Sequence, residues 1–338
     1  MTGRDSPNRE NSHEVDSALR VRQHDLLVSD FPAVLCEIPA VVFVNPAAGA
    51  GRTANCLEGV REVFRSRKIP AEFLVTDSEH DLESRASGAI GDGRRLLFAM
   101  GGDGTFQALV NVAHGSDVLL GLLPAGGGND FAAALGLPSD PIAATRAVLS
   151  GVPRIVDVLR ARTDDGKSRL YIGGGGVGID VEAARHAGGK YHRLPGRLRY
   201  VASALRALLE FEPPRVLAEF PGSAVPPIDT AILLAAAFNT PSYGGGVRLA
   251  PDAKIDDGVL EVALVEKLNP LQVAAALPRI VAGGTLPESR IRRVRGTRVV
   301  LSTDRQCFFH GDGEIFGPTP VEIEVIPRAI RILAPIHV

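Results

Sequence analysis

Three glycine-rich segments are the parts of this chain best suited to do chemistry: NPAAGAGR at 45–52, GGDGT at 101–105 and PAGGGND at 124–130. Each follows an apolar run and precedes a stretch of helical periodicity. Glycine lets backbone N–H groups approach an anion closely, and a helix N-terminus favours negative charge, so such turns cradle phosphate. One of them alone would be an ordinary strand-to-helix connector. Three in one half of the chain, two with an embedded aspartate, point to a phosphate-bearing ligand. In a parallel sheet they lie at the carboxyl ends of the strands, where such folds bind ligands. Far along the chain, GDGE at 311–314 sets Asp312 and Glu314 two residues apart on a glycine-broken turn. From one cleft, either carboxylate could accept a proton from an attacking hydroxyl. The plainer reading is a solvated surface turn, which DG pairs often mark.

The spacing excludes two common phosphate sites, since there is no GxxxxGK[ST] loop and no GxGxxG opening the first half. GGGGVG holds that pattern at Gly173, Gly175 and Gly178, but its surroundings do not fit a dinucleotide unit. It reads instead as a close backbone approach. Asp103, exposed between glycines, either meets the ligand or its metal or caps the helix starting near Thr105. Asn129 and Asp130 can cap the next helix. A carboxylate beside phosphates is costly without a cation between them, which places Asp130 near Mg²⁺.

The elements that must position these residues change character along the chain. Apolar runs at 40–46, 71–76, 94–100 and 117–124 alternate with helical stretches at 53–68, 79–90, 105–114 and 130–137. That alternation predicts an α/β domain over 39–152 with a parallel sheet covered on both faces. Beyond it, strands are expected at 154–161, 169–174, 215–220, 230–239, 258–266, 298–303 and 305–311. Only two helices interrupt them, near 197–211 and 270–282, so a β-rich, sandwich-like domain is expected over 153–320. The closing segment 321–338 is either a last hairpin or a return to the first domain. Residues 1 to about 38, opening on the polar MTGRDSPNRENSHEVD, read as a disordered or loosely attached extension.

Composition narrows the function classes. The chain has 338 residues, 45% hydrophobic and 22% charged, with a formal net charge of -2. That balance gives no global reason to bind nucleic acid. Cys36, Cys56 and Cys307 lack metal-ligand spacing and read as small core residues in a reducing compartment. No apolar run reaches the ~18 residues of a membrane span, and the N-terminus lacks the apolar stretch of a secretory signal. A cytoplasmic protein is expected, meeting membranes only from the surface.

GGDGT at 101–105, LPAGGGNDFA at 123–132, PDAKIDDGVLEV at 251–262 and GDGE at 311–314 together resemble the signature set of the diacylglycerol kinase catalytic-domain family. That family includes bacterial lipid kinases and sphingosine kinases. The resemblance implies a phosphofructokinase- or NAD-kinase-like first domain, a β-rich second domain and an active site between them. It further implies Mg²⁺-dependent transfer of the ATP γ-phosphate to a diacylglycerol-like or sphingoid-like lipid hydroxyl. ATP contacts would come from Asn45, Pro46, Gly49, Thr76, Gly101, Gly102, Asp103, Gly104, Thr105, Gly127, Asn129 and Asp130. Asp312 and Glu314 would be the catalytic acids. A structural Mg²⁺ would sit on the Asp257 side chain and the backbone carbonyls of Lys254 and Val259. Asp157 would join the metal network, its plainer reading being an exposed strand position. Asp180 would meet the substrate's polar head. The helix near 197–211, with Leu198, Val201, Leu205 and Leu208 on one face, would be a core helix or a lid over the acyl chain.

The chain departs from the family pattern at three points. Gly127 stands for the usual Thr, Ala48 for the usual Ser, and Gln107-Ala108 for the usual Asn-Glu pair. These leave open a non-catalytic nucleotide- or lipid-binding protein, and the shared GGDGT leaves open an NAD or sugar kinase. The expected partners are a lipid substrate and a peripheral membrane surface, without nucleic acid. A homodimer stays open.

Overall fold

β1 (Ala40–Val44) buries every one of its residues, as a strand covered on both faces must. The computed structural model describes residues 35–179, 211–267, 272 and 288–336. After β1 come α1 (Arg52–Ser66), β2 (Ala71–Val75), α2 (Glu79–Gly91), β3 (Leu96–Gly101), α3 (Asp103–Ala113), β4 (Leu119–Pro124), α4 (Asp130–Ala134) and α5 (Pro141–Leu149). The strands run parallel in the order β2-β1-β3-β4. Val60, Val63 and Phe64 of α1 pack onto them, with Phe64 edge-on to Phe73 and Phe98. Helix α5 is not anticipated from the apolar pattern. Its signal was local: the Asp140 side chain accepts the Ala143 N–H, and Pro141 opens the helix. Leu35 and Ile38, which the sequence assigns to a disordered extension, are buried in this first core.

The second half is built from β5 (Val152–Thr163), β6 (Ser168–Tyr171), β7 (Gly174–Gly178), β8 (Arg215–Glu219), β9 (Ile228–Phe238), β10 (Leu260–Glu266), β11 (Ile291–Gly296), β12 (Arg298–Thr303), β13 (Phe308–Gly311), β14 (Glu314–Pro318) and β15 (Val321–Ala334). Every pairing among β5 to β14 is antiparallel. Tyr171, Phe309 and Phe316 pack edge-on or tilted in the second core. The glycine run at 174–178 is a central strand, β7, between β9 and β13. The close approach expected there is real: a Cβ on Gly175 would lie 2.8 Å from the His310 carbonyl oxygen.

The long strand β15 joins the halves. Its first part pairs with β12 and its whole length with β5, and Arg331 and Ile332 then add to β4 in parallel. The β5–β15 ladder is interrupted between Ile326 and Ile330, where Arg328 takes a positive φ of 54°. Asp157 of β5 fills that break. It is 1% exposed. Its carboxylate accepts the N–H groups of Arg328 and Gly258, each at 2.7 Å. Its own N–H donates to the Ile255 carbonyl, and its carbonyl accepts from the Asn239 side chain. The exposed strand position is therefore not what the fold makes of Asp157. The helices expected near 197–211 and 270–282 lie, apart from their ends at Phe211 and Gln272, outside the described residues.

Asp157→Ala strands two buried N–H donors, at about 1–3 kcal/mol each. The expected outcome in urea unfolding is a loss of about 2–6 kcal/mol, with Asp157→Asn losing less.

Candidate active site between the two halves

The three glycine loops meet at the carboxyl ends of β1, β3 and β4. The Asn45 amide donates to the Thr105 hydroxyl at 3.1 Å, and its oxygen accepts the Ala47 N–H. Pro46 follows, half-buried. Gly49, at φ 62°, packs so tightly that a Cβ there would lie 2.1 Å from the Ala125 carbonyl oxygen. The Arg52 guanidinium reaches the Gly126 carbonyl at 2.7 Å. Gly102 and Gly126 touch backbone to backbone, since a Cβ on Gly126 would be 2.4 Å from the Gly102 Cα. Asn129 takes a positive φ and closes the third loop, exchanging two hydrogen bonds with Gly126. Gly101 backs onto Thr105, while open space surrounds Gly127. Thr76, at the end of β2, is buried and donates to the Val44 carbonyl.

Three carboxylates are set into this junction, each held by backbone N–H groups of another segment. Asp103 is half-buried rather than exposed, and it does not cap its own helix. It accepts the N–H groups of Asp130 and Phe131, capping α4 instead. Burial pushes its carboxyl up to about 6, the charge of Asp130 adds to the rise, and the N–H donors pull it back. Asp130 crosses to the other half. Its carboxylate accepts the Ser242 hydroxyl at 2.6 Å and the N–H groups of Gly245 and Gly246 at 2.7 and 3.0 Å. Asp312, at φ 46°, turns its carboxylate onto the N–H groups of Ile172, Gly173 and Gly174 at 2.6–3.1 Å. Burial pushes it up to about 7 against those donors, with Asp103 adding to the rise. Its carbonyl faces Gly104 across the cleft.

Glu314 opens β14 two residues later and is less enclosed. One oxygen lies 3.4 Å from the Arg169 guanidinium and 3.5 Å from the Gln107 amide nitrogen. Burial raises its pKa, while Arg169 and then His310 lower it. Gln107 is fully buried with its Oε1 unpartnered, so the residue that departs from the family pattern faces the acid on the opposite wall. Sequence reading did not single out Arg169, Ser242 or the 244–246 glycines. The SYGGG run at 242–246 was the available signal for that loop. Asp180 lies outside the described residues.

A scan of protein families matches the diacylglycerol kinase catalytic domain over residues 39–161. The YegS C-terminal NAD kinase beta sandwich-like domain matches over 175–334. A "Probable lipid kinase YegS-like" of Xanthomonas campestris pv. campestris is 32% identical over 291 residues, 82% of this chain and 92% of that protein. The diacylglycerol kinase of Mycobacterium tuberculosis is 28% identical over 295 residues, 87% of this chain and 94% of its own length. The chain belongs to the diacylglycerol kinase catalytic-domain family. A crystal structure of a diacylglycerol kinase from Bacillus anthracis shares the fold, with a TM-score of 0.65 at 19% identity. It covers 88% of this chain and 97% of its own. The α/β first half and sandwich-like second half of this diacylglycerol kinase family member thus match the expected fold class.

Two metal positions can be tested against the residues. Among the described residues, no group of three or more His, Cys, Asp or Glu is placed to hold an ion. A nucleotide's Mg²⁺ needs only one or two carboxylates beside phosphates and water. Asp103 and Asp130 fit that need, because their mutual repulsion leaves negative charge for a cation to offset. The 252–259 turn does not fit. Asp257 Oδ1 accepts the Val259 N–H, and Oδ2 pairs with the Arg295 guanidinium at 2.5 Å. A divalent ion on Asp257, Lys254 and Val259 would have to displace an arginine.

Chelation by EDTA should therefore leave the thermal midpoint unchanged, whereas Arg295→Gln should lower it. A midpoint that falls on chelation and recovers with Mg²⁺ would place an ion at this turn.

Proposed function

We propose that this chain is a Mg²⁺-dependent kinase that transfers the γ-phosphate of ATP to the hydroxyl of a diacylglycerol-like or sphingoid-like lipid. One observation carries the reading: three interlocked glycine loops face Asp312 and Glu314 across a single cleft. Loops of this kind bind triphosphate through backbone N–H groups. Phosphoryl transfer asks little covalent chemistry of a protein and depends on positioning and charge. Asp103 and Asp130 would hold a Mg²⁺, which would supply charge compensation at the phosphates.

The roles of the two late acids follow from their surroundings. Asp312 has both oxygens committed to backbone N–H donors and orients the cleft wall at Ile172–Gly174. Glu314 is half-buried with an oxygen at the cleft, so it is the group that takes the proton from the attacking hydroxyl. Its raised pKa suits a base working near neutrality. A lipid substrate brings the protein transiently to a membrane surface. Among the described residues, no helix is long and apolar enough to cross one.

The test is transfer of label from γ-³²P-ATP to detergent-dispersed diacylglycerol, monoacylglycerol, sphingosine and ceramide. Glu314→Gln should lower turnover about 10²–10⁴-fold with an unchanged thermal midpoint. It is a cleaner control than Asp312→Asn, which would set an amide NH₂ against backbone donors. Label on none of these lipids from folded protein that binds ATP, or label found only on NAD or a sugar assayed in parallel, would reject the lipid-kinase reading.

Because Glu314 must be ionised to accept a proton, kcat/KM should fall as pH drops through its pKa. That fall should begin above the ordinary carboxylate range, since burial raises the group. An acid limb at an ordinary glutamate value would contradict the assignment.

A further inference from the structure

Among the described residues, Arg169 of β6 lies at ion-pair distance from Glu314, and Glu314 is not its only partner. Its Nη2 is bonded to Glu79 and lies 3.2 Å from Glu83, both on α2, as well as 3.4 Å from Glu314 Oε2. One guanidinium thus serves three carboxylates from two parts of the fold. The backbone beside it is fixed: Asn111 of α3 donates to the Leu170 carbonyl at 2.9 Å and accepts the Leu170 N–H at 3.0 Å. The Arg169 Nε is buried without a hydrogen-bond partner, which an arginine placed only for surface stability would not require. Glu79 is held in turn by the first turn of α2, which the Ser78 hydroxyl caps.

We propose that Arg169 is the positioning residue for Glu314, and that Glu79 and Glu83 compete with Glu314 for the same guanidinium. The proposal rests on the reading of Glu314 as the proton acceptor. Because the competitors stand on α2 and Glu314 on β14, the guanidinium gives the cleft acid a charged link to the first half, beside the neutral Gln107 amide of α3. The other groups facing Glu314 are His310, which is hydrogen-bonded through Nδ1 to the Tyr243 hydroxyl, and the neutral Gln107. His80 stands near Glu83. Burial and then the charge of Glu314 raise Glu83, and Arg169 lowers Glu314 against its own burial.

The experiment is a carboxyl titration of the full chain labelled with δ-¹³C-glutamate, the Glu314 resonance being assigned by its loss in Glu314→Gln. In Arg169→Gln the Glu314 pKa should rise by about one unit, as expected for loss of a neighbouring opposite charge. In Glu79→Gln it should fall, because the guanidinium is freed and a negative charge is lost. Arg169→Lys should lie near wild type. An unmoved Glu314 titration in folded Arg169→Gln, or a rise in Glu79→Gln, would overturn the proposal. Turnover of Glu314→Gln decides the separate matter of whether this carboxylate is the base. An inactive Glu314→Gln with an unmoved titration in Arg169→Gln would sink the role of Arg169 alone.

Discussion

The constraint on which the site depends is the burial of three carboxylates close enough to repel one another. Asp103, Asp130 and Asp312 could not be set there unless each were satisfied, because burying an ionised group without partners is far more costly than folding can tolerate. The partners are backbone N–H groups, and each set comes from a different segment of chain. Asp103 holds the start of α4, Asp130 holds the 242–246 loop, and Asp312 holds 172–174. Asp130 therefore fastens the two walls of the cleft together, while Asp103 and Asp312 each brace one wall.

Glycine makes this arrangement sterically feasible. Loops that touch backbone to backbone, as at Gly102 and Gly126, leave no room for a Cβ. The same closeness concentrates N–H groups where phosphates would lie. The β5–β15 ladder, whose β15 also pairs with β4, then ties the second half to the first, with Asp157 satisfying the backbone where that ladder breaks. Local backbone chemistry, long-range strand pairing and the cleft are thus successive consequences of where a few aspartates find donors.

Much of this was legible in the sequence, for identifiable reasons. Apolar runs such as AVVFV and LLFAM read as covered strands because both of their faces are buried. The glycine loops stood out because few other functions need three of them. Strand β11 did not, since IRRVRG alternates only weakly and carries charge on an outer strand. Strand β7 did not because glycine has almost no strand propensity and is held there by its neighbours. Cross-chain partners were harder still. Nothing local in Arg169 or Gln107 shows that they converge on Glu314, which lies 207 residues beyond Gln107. The 252–259 turn is a further case: its DG pair reads as a plain turn, the metal there is implied only by the resemblance, and nothing local shows that Arg295, from another strand, reaches Asp257.

The central claim is that both halves build one site for Mg·ATP. Amide hydrogen exchange with and without Mg·ATP tests it most directly. Peptides covering 45–52, 101–105, 124–130 and 240–247 should gain protection together, because Asp130 couples the last of these to the first three. Protection confined to the first-half loops, or no change in any of them at saturating nucleotide, would contradict a shared site.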